Sequence, residues 1–290
     1  MRLRTRGEAI FEWFNYTLLV LIILTCLIPV LNIAAKSLSD EASVMAGEVL
    51  IWPIHFTTDA YGIVLGSQKF LTSFRNSVYI TMVGTLLNVI LTVCTGYALS
   101  RSRLKGQKAI MMLYVFTMLF NAGIIPTYLV VKGAGLINSY WALIVPALVS
   151  PFNMIIVRLY FMNLPDSLEE SGKIDGASNV RILVSIMVPL AMPVIATIAL
   201  FCAVEYWNSY FDALMYINDA KLMPLQVYLR EMLLNAADAS NNVDMLAQVN
   251  VSQESIRGAT VVAATLPIVV VYPFLQRYFV KGVVLGAVKG

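Results

Sequence analysis

Charged residues fall along this chain in clusters, and six stretches between them hold no Asp, Glu, Lys or Arg. They cover 13–35, 76–100, 109–131, 133–157, 182–204 and 258–276, each 19 to 25 residues long. A helix of 23 residues is about 34 Å long, and a hydrocarbon core is about 30 Å thick. Each stretch can therefore span a bilayer, the last with little to spare. A charge at mid-span would cost about 2.5–3.5 kcal/mol, which accounts for how clean the runs are. Lipid offers no partner to a backbone amide, so the spans must be helices. The pattern predicts an all-α, polytopic membrane protein forming one domain over 1–290. Its six spans are placed at roughly 13–35, 76–100, 109–131, 138–160, 182–204 and 258–276. The first apolar run is longer than a signal-peptide core and is read as a retained span.

Composition agrees. Apolar residues make up 59% and charged residues 13% of 290, about half the charged share of a soluble domain. Such a chain cannot cover a water-facing surface. A disordered chain, an ordinary soluble enzyme and a nucleic-acid binder are all excluded, the last also by a net charge of only +3. Cys26, Cys94 and Cys202 all sit in apolar runs, and His55 is the sole histidine. That set supports neither a disulfide framework nor a metal site, so no metal is expected.

Lys and Arg give the orientation. With the N-terminus inside, Arg2, Arg4, Arg6, Arg101, Arg103, Lys105, Lys108, Arg158, Lys173, Arg181, Arg277, Lys281 and Lys289 are cytoplasmic. Lys36, Lys69, Arg75, Lys132, Lys221, Arg230 and Arg257 are outside. The bias puts both termini in the cytoplasm. The outside loop over 205–257 is long enough to dock a partner or to cap the helix ends. Prolines mark the spans, and Pro267 and Pro273 lie close together in the last one. Such breaks are tolerated where neighbours or a water-filled path satisfy the freed carbonyls.

The cytoplasmic loop over 163–181 differs from the other connections. Ser167 with Glu170 has capping-box spacing, Asp175-Gly176 is a turn pair, and Asn179 can cap a second helix. The expectation is a helix–turn–helix on the membrane surface. Its small residues Ser171, Gly172, Gly176 and Ala177 would admit a partner, and its charges Glu169, Glu170, Lys173 and Asp175 would fix the partner's register.

This stretch resembles the loop of binding-protein-dependent ABC importer permeases. Their pattern is Glu-Ala-Ala, three residues, Gly, nine residues, then Ile-x-Leu-Pro. The matching positions are Glu170-Ser171-Gly172, Gly176 and Ile186-Met187-Val188-Pro189. Ser171 and Gly172 replace the two alanines and Val188 replaces leucine, and Gly172 weakens a helix by up to about 1 kcal/mol relative to Ala. The runs 96–101, 125–129, 135–143, 205–208 and 276–290 also resemble the carbohydrate branch of the family. The likeness is to the second permease subunit of maltose importers and, closer still, to permeases for alginate-like or other acidic oligosaccharides.

The resemblance implies a type I importer in the bacterial inner membrane. Its partners are a second homologous permease, two ATPase subunits, a periplasmic solute-binding protein and an oligosaccharide. It implies that the helix over 167–177, with Glu169, Glu170, Ser171, Gly172, Lys173, Ile174, Asp175, Gly176, Ala177 and Pro189, couples to an ATPase. The tail Gly286, Ala287, Val288, Lys289 and Gly290 would reach between the ATPases.

The chain would be non-catalytic and bind no cofactor, ATP and Mg belonging to the ATPases. Around Gly172-Lys173, its only Gly-Lys pair, a phosphate-cradling loop fails at both ends. Trp207 and Asn208 are the substrate-pathway candidates, an aromatic face beside an amide, although aromatics near span ends also form the interfacial belt. An ion-coupled secondary sugar transporter is the competing reading. It calls for intramembrane acids, and none lies in the six charge-free runs.

Overall fold

The computed structural model describes residues 6–120, 122–238 and 251–287, and among them the regular structure is helical, with no strand. The described residues divide into two compact units, 1–70 with 229–266, and 71–228 with 267–290.

In the first unit, helix α1 (Arg6–Ser37) carries an apolar surface that little else among the described residues covers. The short helices α2 (Glu41–Met45) and α3 (Asp59–Gly66) follow it. Gly258, near the start of the last helix, abuts α1 so closely that a Cβ there would meet the Ile33 carbonyl oxygen at 2.8 Å. Ion pairs Lys36–Glu254 and Lys69–Glu231, both 2.7 Å, hold the polar end of this unit.

The second unit holds most of helix α4 (Gln68–Ser100), the chain from α5 (Gln107–Leu119) and α6 (Ile124–Gly133) as far as residue 228, and the stretch 267–290. Then come α7 (Trp141–Ile144), α8 (Pro151–Met162), α9 (Ser167–Ile174), α10 (Asn179–Leu190), α11 (Met192–Trp207) and α12 (Phe211–Tyr216). Helices α13 (Leu225–Asp238) and α14 (Gln253–Ala287) complete the described elements. The core gathers Ile80, Phe161, Ile182, Met187 and Ile198.

Among the described residues, three helical segments are long and apolar enough to cross a membrane: Ile10–Ser37, Gln68–Ser100 and Gln253–Pro273. They coincide with the first, second and sixth expected spans. The third is broken, α5 and α6 meeting at 120°, and so is the fifth, α10 and α11 meeting at 84°. The fourth, expected over 138–160, is not one helix. Its α7 is a single turn, and the 12-residue α8 starts afresh at Pro151 behind a Ser150 cap whose Oγ accepts from the Asn153 N–H at 3.4 Å. Pro146 and Pro151 remove two backbone donors from this run. Asn88 of α4 donates to the Ala147 carbonyl at 2.8 Å in compensation. Its Oδ1 also takes hydrogen bonds from Thr92 at 3.0 Å and from the Cys202 thiol at 3.2 Å. A buried amide thus satisfies the break.

Candidate functional site

The loop between α8 and α10 folds as a short helix followed by a sharp turn. Helix α9 ends in a two-bond stop: Gly176 N–H donates to Lys173 O at 3.0 Å and Ala177 N–H to Gly172 O at 2.9 Å. That pairing needs a left-handed residue after the last helical carbonyls, and Gly176 supplies it with φ +74°. The turn expected at Asp175-Gly176 is present. The caps differ from expectation. Ser167 and Glu170 do not form a capping box, because Asp166 precedes the first turn without a side-chain cap. Ser178, not Asn179, caps α10, its Oγ accepting from the Arg181 N–H at 3.3 Å. Asn179 is already inside that helix.

The two faces of α9 have different work. Gly172 is buried and faces α10: a Cβ there would lie 3.1 Å from both Ile182 Cγ1 and Ile186 Cδ1. Its smallness lets the helix seat against α10. Glu169 is only 5% exposed and is not a rim charge. Its Oε2 lies 2.9 Å from Arg101 Nε, and its Oε1 binds Lys173 and lies 3.7 Å from Arg103. Arg101 also reaches Asp166 at 3.2 Å, and its guanidinium sits 5.0 Å over the Tyr97 ring. Burial pushes the Glu169 pKa up. The Lys173 hydrogen bond and the charges of Arg101, Lys173 and Arg103 outweigh it and hold the carboxyl below its ordinary 4.5.

Toward solvent α9 presents Glu170, Ser171 and Asp175, together with Ile174, which is 86% exposed. Ala177 is half-buried, and Pro189 lies at the far end of α10, past a π turn over Leu183–Met187. Arg101 is the residue that sequence reasoning missed. In the sequence it reads as a positive charge at a span end and as the close of a family-like run, with no link to Glu169. The signal was its place at the close of the Gly96–Arg101 run.

Trp207 and Asn208 do not converge. Trp207 is buried and lines an apolar cavity of about 210 Å³ with Val78, Met82, Leu200 and Pro267. Its ring meets Phe74 edge-on at 6.0 Å. Asn208 Nδ2 donates back to Val204 O at 2.8 Å, and its Oδ1 accepts from Gln226 at 3.4 Å. The amide is committed to the helix end and does not join Trp207 in the cavity. Among the described residues no cluster of His, Cys, Asp or Glu is arranged to hold a metal. Gly286 and Ala287 close α14, whereas Val288, Lys289 and Gly290 lie outside the described residues.

Comparison with known proteins agrees with this architecture. The chain is 40% identical over 282 residues to a polygalacturonan/rhamnogalacturonan transport system permease of Bacillus subtilis, covering 97% of this chain and 99% of that one. It is 43% identical over 286 residues to the LplC protein of the same organism, covering 99% and 97%. A bacterial ABC transporter involved in the import of the acidic polysaccharide alginate contains a chain of the same fold. That chain is 34% identical, with a TM-score of 0.91 over 96% of this chain and 100% of that one. The family model for the inner membrane component of binding-protein-dependent transport systems matches residues 8–285. The chain belongs to that family and is a membrane-embedded permease subunit of the ABC sugar importers.

Proposed function

We propose that this subunit carries an oligosaccharide, alginate or another acidic saccharide, across the bacterial inner membrane after delivery by a periplasmic binding protein. The helix over 167–177 couples that passage to two ATPase subunits, which bind ATP and Mg and do the hydrolysis. The chain crosses the membrane six times, each broken run counting as one crossing, with both termini cytoplasmic. A second, homologous permease completes the pathway. The tail at 286–290 reaches the ATPases, and the 205–257 loop faces the binding protein.

One observation carries the coupling assignment: α9 is fixed on one face and open on the other. Glu169 and Gly172 lock it to Arg101, Ile182 and Ile186, while Glu170, Ser171, Ile174 and Gly176 stay exposed. A lever needs both, a rigid joint to the body and a free surface for the force. An apolar side chain as exposed as Ile174 is the kind of anchor that fills a partner's pocket. The acidic-saccharide assignment rests on the cargo stated for two of the more similar relatives, the polygalacturonan/rhamnogalacturonan permease and the alginate importer. Sugar contact at Trp207 and Asn208 requires the end of α11 to open, because Trp207 is buried.

The test is stimulated ATP hydrolysis in the reconstituted importer. Ile174→Glu and Gly176→Trp should abolish stimulation by loaded binding protein while the complex still assembles. Ile174→Cys should cross-link to an ATPase subunit. Normal stimulation in both variants, or the absence of any cross-link, overturns the coupling assignment. Preference of the cognate binding protein for neutral over acidic oligosaccharides overturns the substrate class.

A further inference from the structure

The segment between α1 and α3 is built with care for a connection. Asp40 caps α2, its Oδ1 accepting from the Ser43 N–H at 3.3 Å. Gly47 turns the chain at φ +72°. Ser39 Oγ accepts from the Ile54 N–H at 3.0 Å, and Thr57 N–H donates to Leu38 O at 3.0 Å. Val44 and Val49 pack on Ala35 with Ile54 beside them. This small core takes the aliphatic side chains of the segment that point inward. The larger ones point out: Met45 is 77% exposed, Leu50 72%, Trp52 82% and Phe56 68%. An ordered loop that turns its largest apolar groups outward marks an interaction surface.

Asn32 identifies the medium. Its Nδ2 donates to Val49 O at 3.0 Å and to Leu50 O at 2.7 Å. Asn32 stands five residues before Ser37, the end of α1, which is about 7.5 Å back along the axis at about 1.5 Å per residue. Counting from Trp13, about 30 Å of hydrocarbon takes about 20 residues and ends near residue 33. The amide therefore lies at the edge of the hydrocarbon, where an unpartnered polar group is costly. It is satisfied by drawing the loop down beside it. Leu50 and Trp52 are thereby held level with the lipid headgroups, the depth at which tryptophan is enriched. On α1 itself, Ile28, Val30 and Leu31 are exposed as well.

We propose that residues 38–57 form a lipid-facing anchor. It lies in the interface of the leaflet at the C-terminal end of α1, with Leu50, Trp52 and Phe56 among the headgroups and upper acyl chains. It fixes the height of α1 in the bilayer and leaves the rim of the transport pathway to other segments. The inference rests on membrane insertion of α1 and is independent of the coupling assignment.

The experiment uses the full chain, with the exposed Cys26 and Cys94 replaced by alanine and the buried Cys202 kept as an unlabelled background, assembled with its partner subunits in lipid nanodiscs. Single cysteines at Leu50→Cys, Trp52→Cys and Glu48→Cys receive a nitroxide label. Collision with oxygen, which partitions into lipid, is compared with collision with a water-soluble nickel chelate. Oxygen should exceed chelate several-fold at positions 50 and 52, with the reverse at 48. Chelate dominance at 50 and 52 places the loop in water and overturns the proposal. Low collision with both reagents at 50 and 52 means a protein covers the surface and overturns it equally. Neither result touches ATP hydrolysis, so this failure and failure of the coupling assignment are distinguishable.

Discussion

Helix α9 and the segment 38–57 are both too short to hold a shape alone, and each is pinned to a long helix by a side chain. An isolated helix of eight residues is unstable in water, and α9 survives because Glu169 and Gly172 dock it. The pins differ in chemistry. On α9 a buried carboxylate meets Arg101, Arg103 and Lys173. On the 38–57 segment one neutral amide holds two backbone carbonyls. A charged cluster is strong when whole and costly when half broken, which would suit the load-bearing joint proposed above. A neutral amide works at the hydrocarbon edge, where a charge would be driven out.

The largest effect should come from breaking the charged pin. Arg101→Glu sets a second negative charge against Glu169, and removing one partner of a buried pair costs about 3–5 kcal/mol. Transport and stimulated hydrolysis should both be lost. Arg101→Lys, which keeps the positive charge, should retain part of each. Full stimulation in Arg101→Glu would show that α9 is held by something else.

Gly172 gives the next contrast. Gly172→Phe must push α9 off Ile182 and Ile186, so stimulated hydrolysis should fall sharply while membrane insertion is kept. Gly172→Ala should be close to neutral, since up to about 1 kcal/mol of helix propensity offsets a contact that is tight by a few tenths of an ångström.

The neutral pin should break quietly. Asn32→Ala removes two hydrogen bonds, each worth about 0.5–1.5 kcal/mol. The assembled importer should melt a few degrees lower, with stimulated hydrolysis nearly unchanged. A collapse of coupling in this variant would erase the distinction between the two pins.

The smallest expected effect is that of pH. The Glu169 carboxyl titrates below its ordinary 4.5 in the folded chain. Its contribution is therefore complete above that value and is lost as pH falls through the lower, folded pKa. Coupling should be flat between about pH 6 and 8 as far as this group is concerned. A step in that window that Glu169→Gln removes would contradict the assignment.

Much of this was legible in the chain before any coordinates. Charge-free runs located α1, α4 and α14 because lipid punishes a charge wherever it falls. The same criterion does not tell a straight helix from a broken one, so the run holding Pro146 and Pro151 reads as a single rod. Around α9 the helix and its glycine stop were readable from local spacing. Which face looked outward was not. Glu169 and Gly172 find their partners on other helices, Arg101 at the end of α4 and Ile182 and Ile186 on α10. Without those partners an acidic residue beside small ones reads as a solvated rim. The caps missed by one residue, a shift that local patterns do not resolve.

The bend at Ala191 has a mechanical meaning. Helix α9 rests on α10 through Gly172, and α10 meets α11 at 84°. Ala191 N–H donates to Met187 O at 2.9 Å, and the chain then turns into a helix that opens with Pro193. Two arms joined nearly at right angles form a bell crank. Under the coupling proposed above, a thrust arriving along the first arm would leave as a sideways swing of the second, so a small displacement at Ile174 would not need to travel as a piston stroke.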